Sequence, residues 1–145
     1  MPLLRNLLTL SLAAMMTVAS AYADVVVIVS AKSQVAHLSA EQTGRIFLGK
    51  VNAFPGGGHA LPFDQPEGAP IRDEFYSRVL SKSAAQLTAY WAKMVFTGDG
   101  FPPKLINGNA AVKHAVSGNP DAIGYIDRSA VDGSVKVVFD PQGSL

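Results

Sequence analysis

The chain has 145 residues and no cysteine, which excludes disulfide bonds, a thiol nucleophile and thiolate metal ligands. Its 12 Lys and Arg residues against 11 Asp and Glu residues give a formal charge of +1. This balance argues against nucleic acid or an anionic lipid surface as the main partner, because both require a basic surplus.

The first residues have the features of an export signal. Arg5 gives the first residues a positive charge, as in the n-region of a signal peptide. Residues 7–18 form an apolar run, and Ala21-Tyr22-Ala23 has the form of a signal-peptidase cleavage site. The apolar run is shorter than the roughly 20 residues that a spanning helix needs. We therefore predict a cleaved signal peptide over residues 1–23 and a single periplasmic domain over residues 24–145, free in solution and not inserted in a membrane after cleavage.

The pattern after the leader predicts an α/β domain. Val25 to Val29 is a continuous β-branched run, typical of a strand buried on both faces of a sheet. Ser39 and Ser83 each begin a Ser-x-x-Gln capping box that opens a helix. Further helices are predicted from Pro70 and from Asn109 as the N-cap, and further strands over residues 60–63, 123–126 and 135–139. Residues 51–58 and 96–103 are predicted loops.

No residue pattern points to catalysis or to a metal. His37, His59 and His114 lie in different predicted elements and lack the i, i+4 spacing of a helical metal site, and His59 with Asp64 gives only two ligands. A G-x-S-x-G nucleophile elbow is missing from the sequence. We therefore expect neither an enzyme nor a cofactor.

The segment from Phe63 to Arg72 is the main candidate for ligand binding. It runs from a strand end through a glycine loop into a helix, and helix N-termini offer unpaired N–H groups and a positive dipole end to anions. Arg72 can add a charge-assisted bond. The alternative is that Asp64 and Glu67 cap the helix while Arg72 is solvated on its outer face. The sequence leaves these two interpretations open.

Four segments carry a resemblance to a known family. Residues 38–42 (LSAEQ), 46–50 (IFLGK), 68–75 and 118–125 (GNPDAIGY) occur in the order seen in periplasmic phosphate-binding proteins of ABC transporters. The mature chain resembles the short, single-domain members of this group. The resemblance implies a type II periplasmic-binding-protein-like lobe with a mixed β-sheet flanked by helices. It also implies inorganic phosphate or a similar oxyanion as ligand, and a membrane permease or sensor as a further partner.

The resemblance also suggests the ligand-binding residues. The family holds phosphate with a G-S-G-T-R stretch; if its arginine is Arg72, the first glycine is Gly68 and the serine position is Ala69. Both family hydroxyls are then lost, and Pro70 lacks an N–H. We expect Arg72 to pair with the anion, Gly68 and Ala69 to donate backbone N–H groups, and Asp64 or Gln65 to meet a protonated oxygen.

A second interpretation is a protein-interaction or sensor-accessory module that kept the fold and lost the ligand. The family binds phosphate between two lobes, and the mature chain is short for both. Phe101, in the predicted loop at residues 96–103, would then be an exposed aromatic anchor for a partner. The competing expectation, which we favour for this residue, is that Phe101 packs into the core.

Overall fold

A computed structural model describes residues 24–143 of the chain. The predicted signal peptide at residues 1–23 lies outside the described residues. The strands are β1 (Val25–Ser30), β2 (Leu61–Asp64), β3 (Lys104–Leu105), β4 (Ala122–Asp127) and β5 (Val135–Phe139), and the helices are α1 (Ala40–Phe47), α2 (Pro70–Leu80), α3 (Ala84–Thr97) and α4 (Asn109–Ser117). A short 3-10 turn at Arg128–Ala130 follows β4.

The five strands form one mixed sheet in the order β3-β2-β4-β1-β5. Strand β2 runs parallel to both β3 and β4, whereas β1 is antiparallel to β4 and β5. The predicted α/β class with a mixed sheet and flanking helices is therefore confirmed. Parallel pairing brings the carboxyl ends of β2, β3 and β4 to the same edge of the sheet, where open α/β sheets place their ligands.

The sheet is covered on both faces, as the β-branched run of β1 predicted. Val25, Val27 and Val29 face one core cluster together with residues of α1, α2 and α3, while Val26 and Ile28 face a second cluster with α4. Every residue of β1 is buried. Alternate side chains of a strand point to opposite faces, so an unbroken apolar run fills both layers.

Both predicted capping boxes are present. The Ser39 side chain accepts from the Gln42 N–H and the Gln42 side chain accepts from the Ser39 N–H, and Ser83 with Gln86 repeats the pattern. Each box satisfies two N–H groups that the first helical turn leaves unpaired. Helix α3 continues to Thr97 and ends at Gly98, whose φ of 75° fits a left-handed cap. The loop predicted from Phe96 therefore begins two residues later.

One strand was missed, and one N-cap prediction was wrong. Strand β3 was not predicted, because its two residues form a strand only through pairing with Phe63 and Asp64 of β2. The N-cap of α4 is Gly108, with a φ of 96°, and Asn109 is the first helical residue. The side chain of Asn109 does not cap the helix; its Oδ1 accepts from Gln65 and from the Asp127 N–H. In the part of the chain that the structure describes, no helix is both long and apolar enough to cross a membrane.

Gly124 in the middle of β4 lies directly under α4. A Cβ at this position would be 2.8 Å from Cγ1 of Val112 and 3.2 Å from Cγ2 of Val116, which is closer than packed carbon atoms allow. We expect Gly124→Ala to lower the free energy of unfolding by about 1–3 kcal/mol, since an extra methyl must displace a packed helix. Urea denaturation measures this loss. Gly133→Ala is the matched control, since a Cβ there meets nothing within 4 Å; equal stability of both variants would contradict the packing argument.

Candidate functional site

The candidate site lies at the carboxyl ends of the parallel strands. Asp64 ends β2 and Asp127 ends β4, and the chain leaves β2 through residues 65–69 to enter α2. The predicted junction from strand to helix is therefore present, with Ala69 as the N-cap and Pro70 in the first turn. The site is held together by the side chain of Asp64.

The Asp64 carboxylate is buried, with 1% of the residue exposed. Its Oδ1 accepts from the Gln65 N–H at 2.8 Å and from the Tyr125 hydroxyl, and its Oδ2 accepts from the Tyr76 hydroxyl at 2.5 Å. Nη1 of Arg72 lies 3.8 Å from Oδ2. These contacts satisfy a buried charge with donors from α2, from β4 and from the residue that follows β2, which is the condition under which such a charge is tolerated.

The two tyrosines that donate to Asp64 remain protonated at neutral pH. Burial raises the pKa of Tyr76 and of Tyr125 well above the ordinary value, and the neighbouring Asp64 carboxylate raises each further. Their rings are fixed by packing. The Phe75 ring is stacked on the Tyr125 ring with centroids 4.1 Å apart, and Phe47 meets Phe75 edge to face at 4.7 Å. Helices α1 and α2 are thus held against β4 by aromatic contacts beside the carboxylate.

Gln65 is a structural link rather than an open side chain. It is 3% exposed, and its Nε2 donates to the Tyr125 carbonyl at 3.0 Å and to Asn109 Oδ1 at 3.2 Å. The backbone carbonyl of Gln65 accepts a hydrogen bond from Nη1 of Arg72 at 2.8 Å. Gln65 therefore joins the sheet, the start of α4 and the guanidinium of Arg72.

Arg72 faces inwards, which contradicts the alternative that placed it on the outer face of α2. Its side chain is 15% exposed, and its guanidinium carbon lies 5.5 Å from the centroid of the Tyr76 ring. The helix cap of that alternative was also wrong, because α2 has no side-chain cap. The carboxylate of Asp64 is buried, and Glu67 is exposed. Arg72 instead lines a cavity of about 240 Å³ with Glu67 and Asp64.

The loop before α2 provides two free backbone donors. The Ala69 N–H donates to the Pro66 carbonyl at 3.1 Å and is therefore engaged. Within residues 24–143 the N–H groups of Gly68 and Ile71 have no hydrogen-bond acceptor. Gly68 has a φ of 87°, a conformation that glycine adopts without strain. An anion at this loop would therefore meet Gly68 and Ile71 rather than Ala69.

The expectation that Phe101 packs into the core was wrong. Phe101 is 75% exposed and Phe96 is 91% exposed, and both are in or beside the segment that connects α3 to β3. Residues 101–103 (Phe-Pro-Pro) precede β3, where two prolines limit the ways in which the chain can fold back. In the described part of the chain no group of three or more His, Asp or Glu residues is placed to hold a metal ion.

Comparison with known proteins identifies the fold. No family model and no curated protein matches the sequence. One similar solved structure is described as a phosphate ABC transporter substrate-binding protein from Clostridium perfringens with bound phosphate. It superimposes on this chain with a TM-score of 0.64 at 28% sequence identity. The match covers 80% of this chain and 44% of that chain. An ABC-type phosphate transport receptor from Vibrio cholerae gives 0.63 at 21% identity, over 80% and 45%.

The chain has the fold of one periplasmic-binding-protein lobe. PstS from Borrelia burgdorferi adds a third neighbour of this kind, with a TM-score of 0.60 at 13% identity, 80% of this chain and 46% of that chain. The predicted resemblance to phosphate ABC transporter substrate-binding proteins is thereby confirmed at the level of structure. The lobe spans less than half the length of these neighbours.

Sequence reasoning missed the two tyrosines of the lobe's site. Tyr76 was given no role in the helix predicted from Pro70, and Tyr125 was treated only as part of a strand. A usable signal was present: tyrosine in an otherwise apolar strand such as AIGYI requires a hydrogen-bond partner once it is buried. Asp64, at the end of another strand, is the acceptor that would satisfy it.

The raised tyrosine pKa values predict a loss of stability at alkaline pH. The folded-state pKa of Tyr76 and of Tyr125 exceeds the ordinary value of about 10. Their contribution to the free energy of unfolding is therefore complete below pH 10 and is lost as the pH rises further. We expect Tyr125→Phe to lower the free energy of unfolding at pH 7 by about 1.5–3 kcal/mol, since one hydrogen bond to a charged acceptor is lost.

Urea denaturation from pH 7 to pH 11 measures both effects. The slope of stability against pH above pH 10 should be shallower in Tyr125→Phe than in the wild type, because one buried phenol no longer titrates on unfolding. Tyr90→Phe is the comparison, since Tyr90 donates to the Leu48 carbonyl and only burial raises its pKa, so this variant should flatten the slope less than Tyr125→Phe. An unchanged alkaline slope in Tyr125→Phe would refute the assignment.

Proposed function

We propose that this chain is a periplasmic solute-binding lobe that binds phosphate or a related oxyanion where β2 leads into α2. The observation that carries the proposal is the guanidinium of Arg72, held by the Gln65 carbonyl beside an open cavity, in a lobe whose structural neighbours include one solved with bound phosphate. Arginine with adjacent unpaired backbone N–H groups is the arrangement that oxyanions favour.

The five residues suggested by the sequence divide into three roles in this proposal. Arg72 and the Gly68 N–H bind the anion, and the Ile71 N–H joins them. Asp64 and Gln65 position Arg72, because their own polar atoms are engaged within the core. Ala69 shapes the turn through its bond to Pro66. No side chain acts chemically on the ligand, so the proposed role is binding and not catalysis.

The charge around Arg72 favours weak or assisted binding. Asp64 at 3.8 Å already offsets part of the positive charge of Arg72, and Glu67 lies on the same cavity. Each carboxylate opposes a fully ionised anion. The match covers only 44% and 45% of the first two structural neighbours, so each contains further chain that this lobe does not match. We therefore propose that a second body, a membrane permease, a sensor or another protein, covers the site and completes it.

Arg72→Gln tests the binding residue. In the wild type, phosphate at about 100 times its dissociation constant should add roughly 2.7 kcal/mol to the free energy of unfolding, seen as a rise in Tm over chloride at matched ionic strength. Arg72→Gln should lose this increment. Arg78→Gln is the control, because Arg78 is on the same helix but pairs with Glu74 at 3.1 Å. A phosphate response that survives in Arg72→Gln would contradict the site.

A second candidate function is the protein-interaction module, which the exposure of Phe96 and Phe101 favours. Exposed aromatic side chains on a stiff segment are typical anchors of protein interfaces. If this candidate is correct, the purified protein should retain one defined partner from a periplasmic extract, and Phe101→Ser should lose it. Leu61→Ser is the control, since Leu61 is 36% exposed on β2. Retention of the same proteins by Phe101→Ser would contradict this candidate.

A further inference from the structure

The cavity beside Arg72 is larger than an inorganic anion needs, and part of its wall is apolar. Its volume is about 240 Å³, while a water molecule in the liquid occupies about 30 Å³. Besides Arg72 and Glu67 it is lined by Thr88 and Trp91 of α3, by Pro102 and by Leu105 of β3. The cavity therefore offers a charged end and an apolar wall, and it suits a small organic molecule.

Trp91 lines the cavity with its indole ring. The residue is 7% exposed, and its Nε1 is buried without a partner in the described part of the chain. A buried indole N–H normally has an acceptor, since leaving it unpaired is unfavourable. Because Nε1 is closed to solvent, it is also closed to a ligand in the cavity, and Trp91 contributes to the wall only through its ring.

The charges of the lining select the type of molecule. Asp64 and Glu67 provide two carboxylates against the single guanidinium of Arg72, and the other lining side chains are neutral. Asp64 has its oxygens occupied by Tyr76, Tyr125 and the Gln65 N–H, whereas Glu67 is exposed and is in no ion pair within residues 24–143. An anion without a positive group would place a further negative charge beside Glu67 and be repelled by it. A ligand with an ammonium group would satisfy it.

We propose that this cavity binds a small zwitterion that carries an oxyanion and an ammonium group joined by a short alkyl spacer, as in the aminoalkylphosphonates. This inference rests on the proposed function, since the oxyanion lies at Arg72. The ammonium group donates to Glu67. The spacer lies against Pro102 and Leu105.

Three probes separate this inference from the proposed function: 2-aminoethylphosphonate, ethylphosphonate and inorganic phosphate, each measured by calorimetry. Ethylphosphonate keeps the oxyanion and the carbon chain but lacks the ammonium group. We expect 2-aminoethylphosphonate to bind about tenfold more tightly than ethylphosphonate, as one charge-assisted hydrogen bond allows. Because Trp91 is the single tryptophan, binding of either phosphonate should also change the intrinsic fluorescence.

Two variants assign the contacts. Glu67→Gln should remove the preference for 2-aminoethylphosphonate while ethylphosphonate binds as well as before or better. Asp73→Asn, an exposed carboxylate of α2 outside the cavity lining, is the matched control and should keep the preference. Trp91→Phe keeps an aromatic ring in the wall and should leave the ratio of the two affinities unchanged.

The results that overturn the inference differ from those that overturn the proposed function. Equal binding of the two phosphonates, or a preference that Glu67→Gln leaves unchanged, refutes the zwitterion site while phosphate binding at Arg72 stands. If none of the three probes binds the wild-type protein, both fail. Binding of 2-aminoethylphosphonate that Arg72→Gln leaves intact also refutes the site described here.

Discussion

The buried carboxylate of Asp64 is the interaction on which the rest of the structure depends. It takes hydrogen bonds from the Gln65 N–H and from the hydroxyls of Tyr76 and Tyr125, so that β2, α2 and β4 meet at one group. Loss of partners for a buried charge costs about 3–5 kcal/mol, a large part of the stability of a small domain. The position of α2, and with it the position of Arg72, follows from this carboxylate.

The same carboxylate limits what the lobe can bind. Asp64 provides an internal negative group 3.8 Å from Arg72, so the guanidinium is positioned but partly neutralised before any ligand arrives. A fixed guanidinium loses little conformational freedom on binding, which raises the affinity for an anion. The nearby carboxylates lower that affinity. The balance favours a ligand that is not strongly negative, or a second protein surface that excludes water and strengthens the remaining contacts. Both the proposed phosphate site and the zwitterion site follow from this arrangement.

Much of the fold could be predicted from the sequence, because β1, the two capping boxes and the strands around AIGYI are determined by local pattern. The site could be predicted only in part. The junction at residues 63–72 was located correctly, but the direction of its charged side chains depends on Tyr125, which lies 61 residues from Asp64 along the chain. No local periodicity reports such a contact. Strand β3 and the exposure of Phe101 likewise depend on tertiary pairing.

The central claim is that an oxyanion binds at Arg72 against a framework that Asp64 already holds in place. The most direct measurement is a titration of the ¹⁵N-labelled protein with phosphate, followed by NMR, with chloride at matched ionic strength as reference. We expect saturable shifts of the Arg72 Nε–H and of the Gly68 and Ile71 amides, with little change at Val26 and Ile28 in β1. Saturable shifts confined to another surface, or no saturable shift, would contradict it.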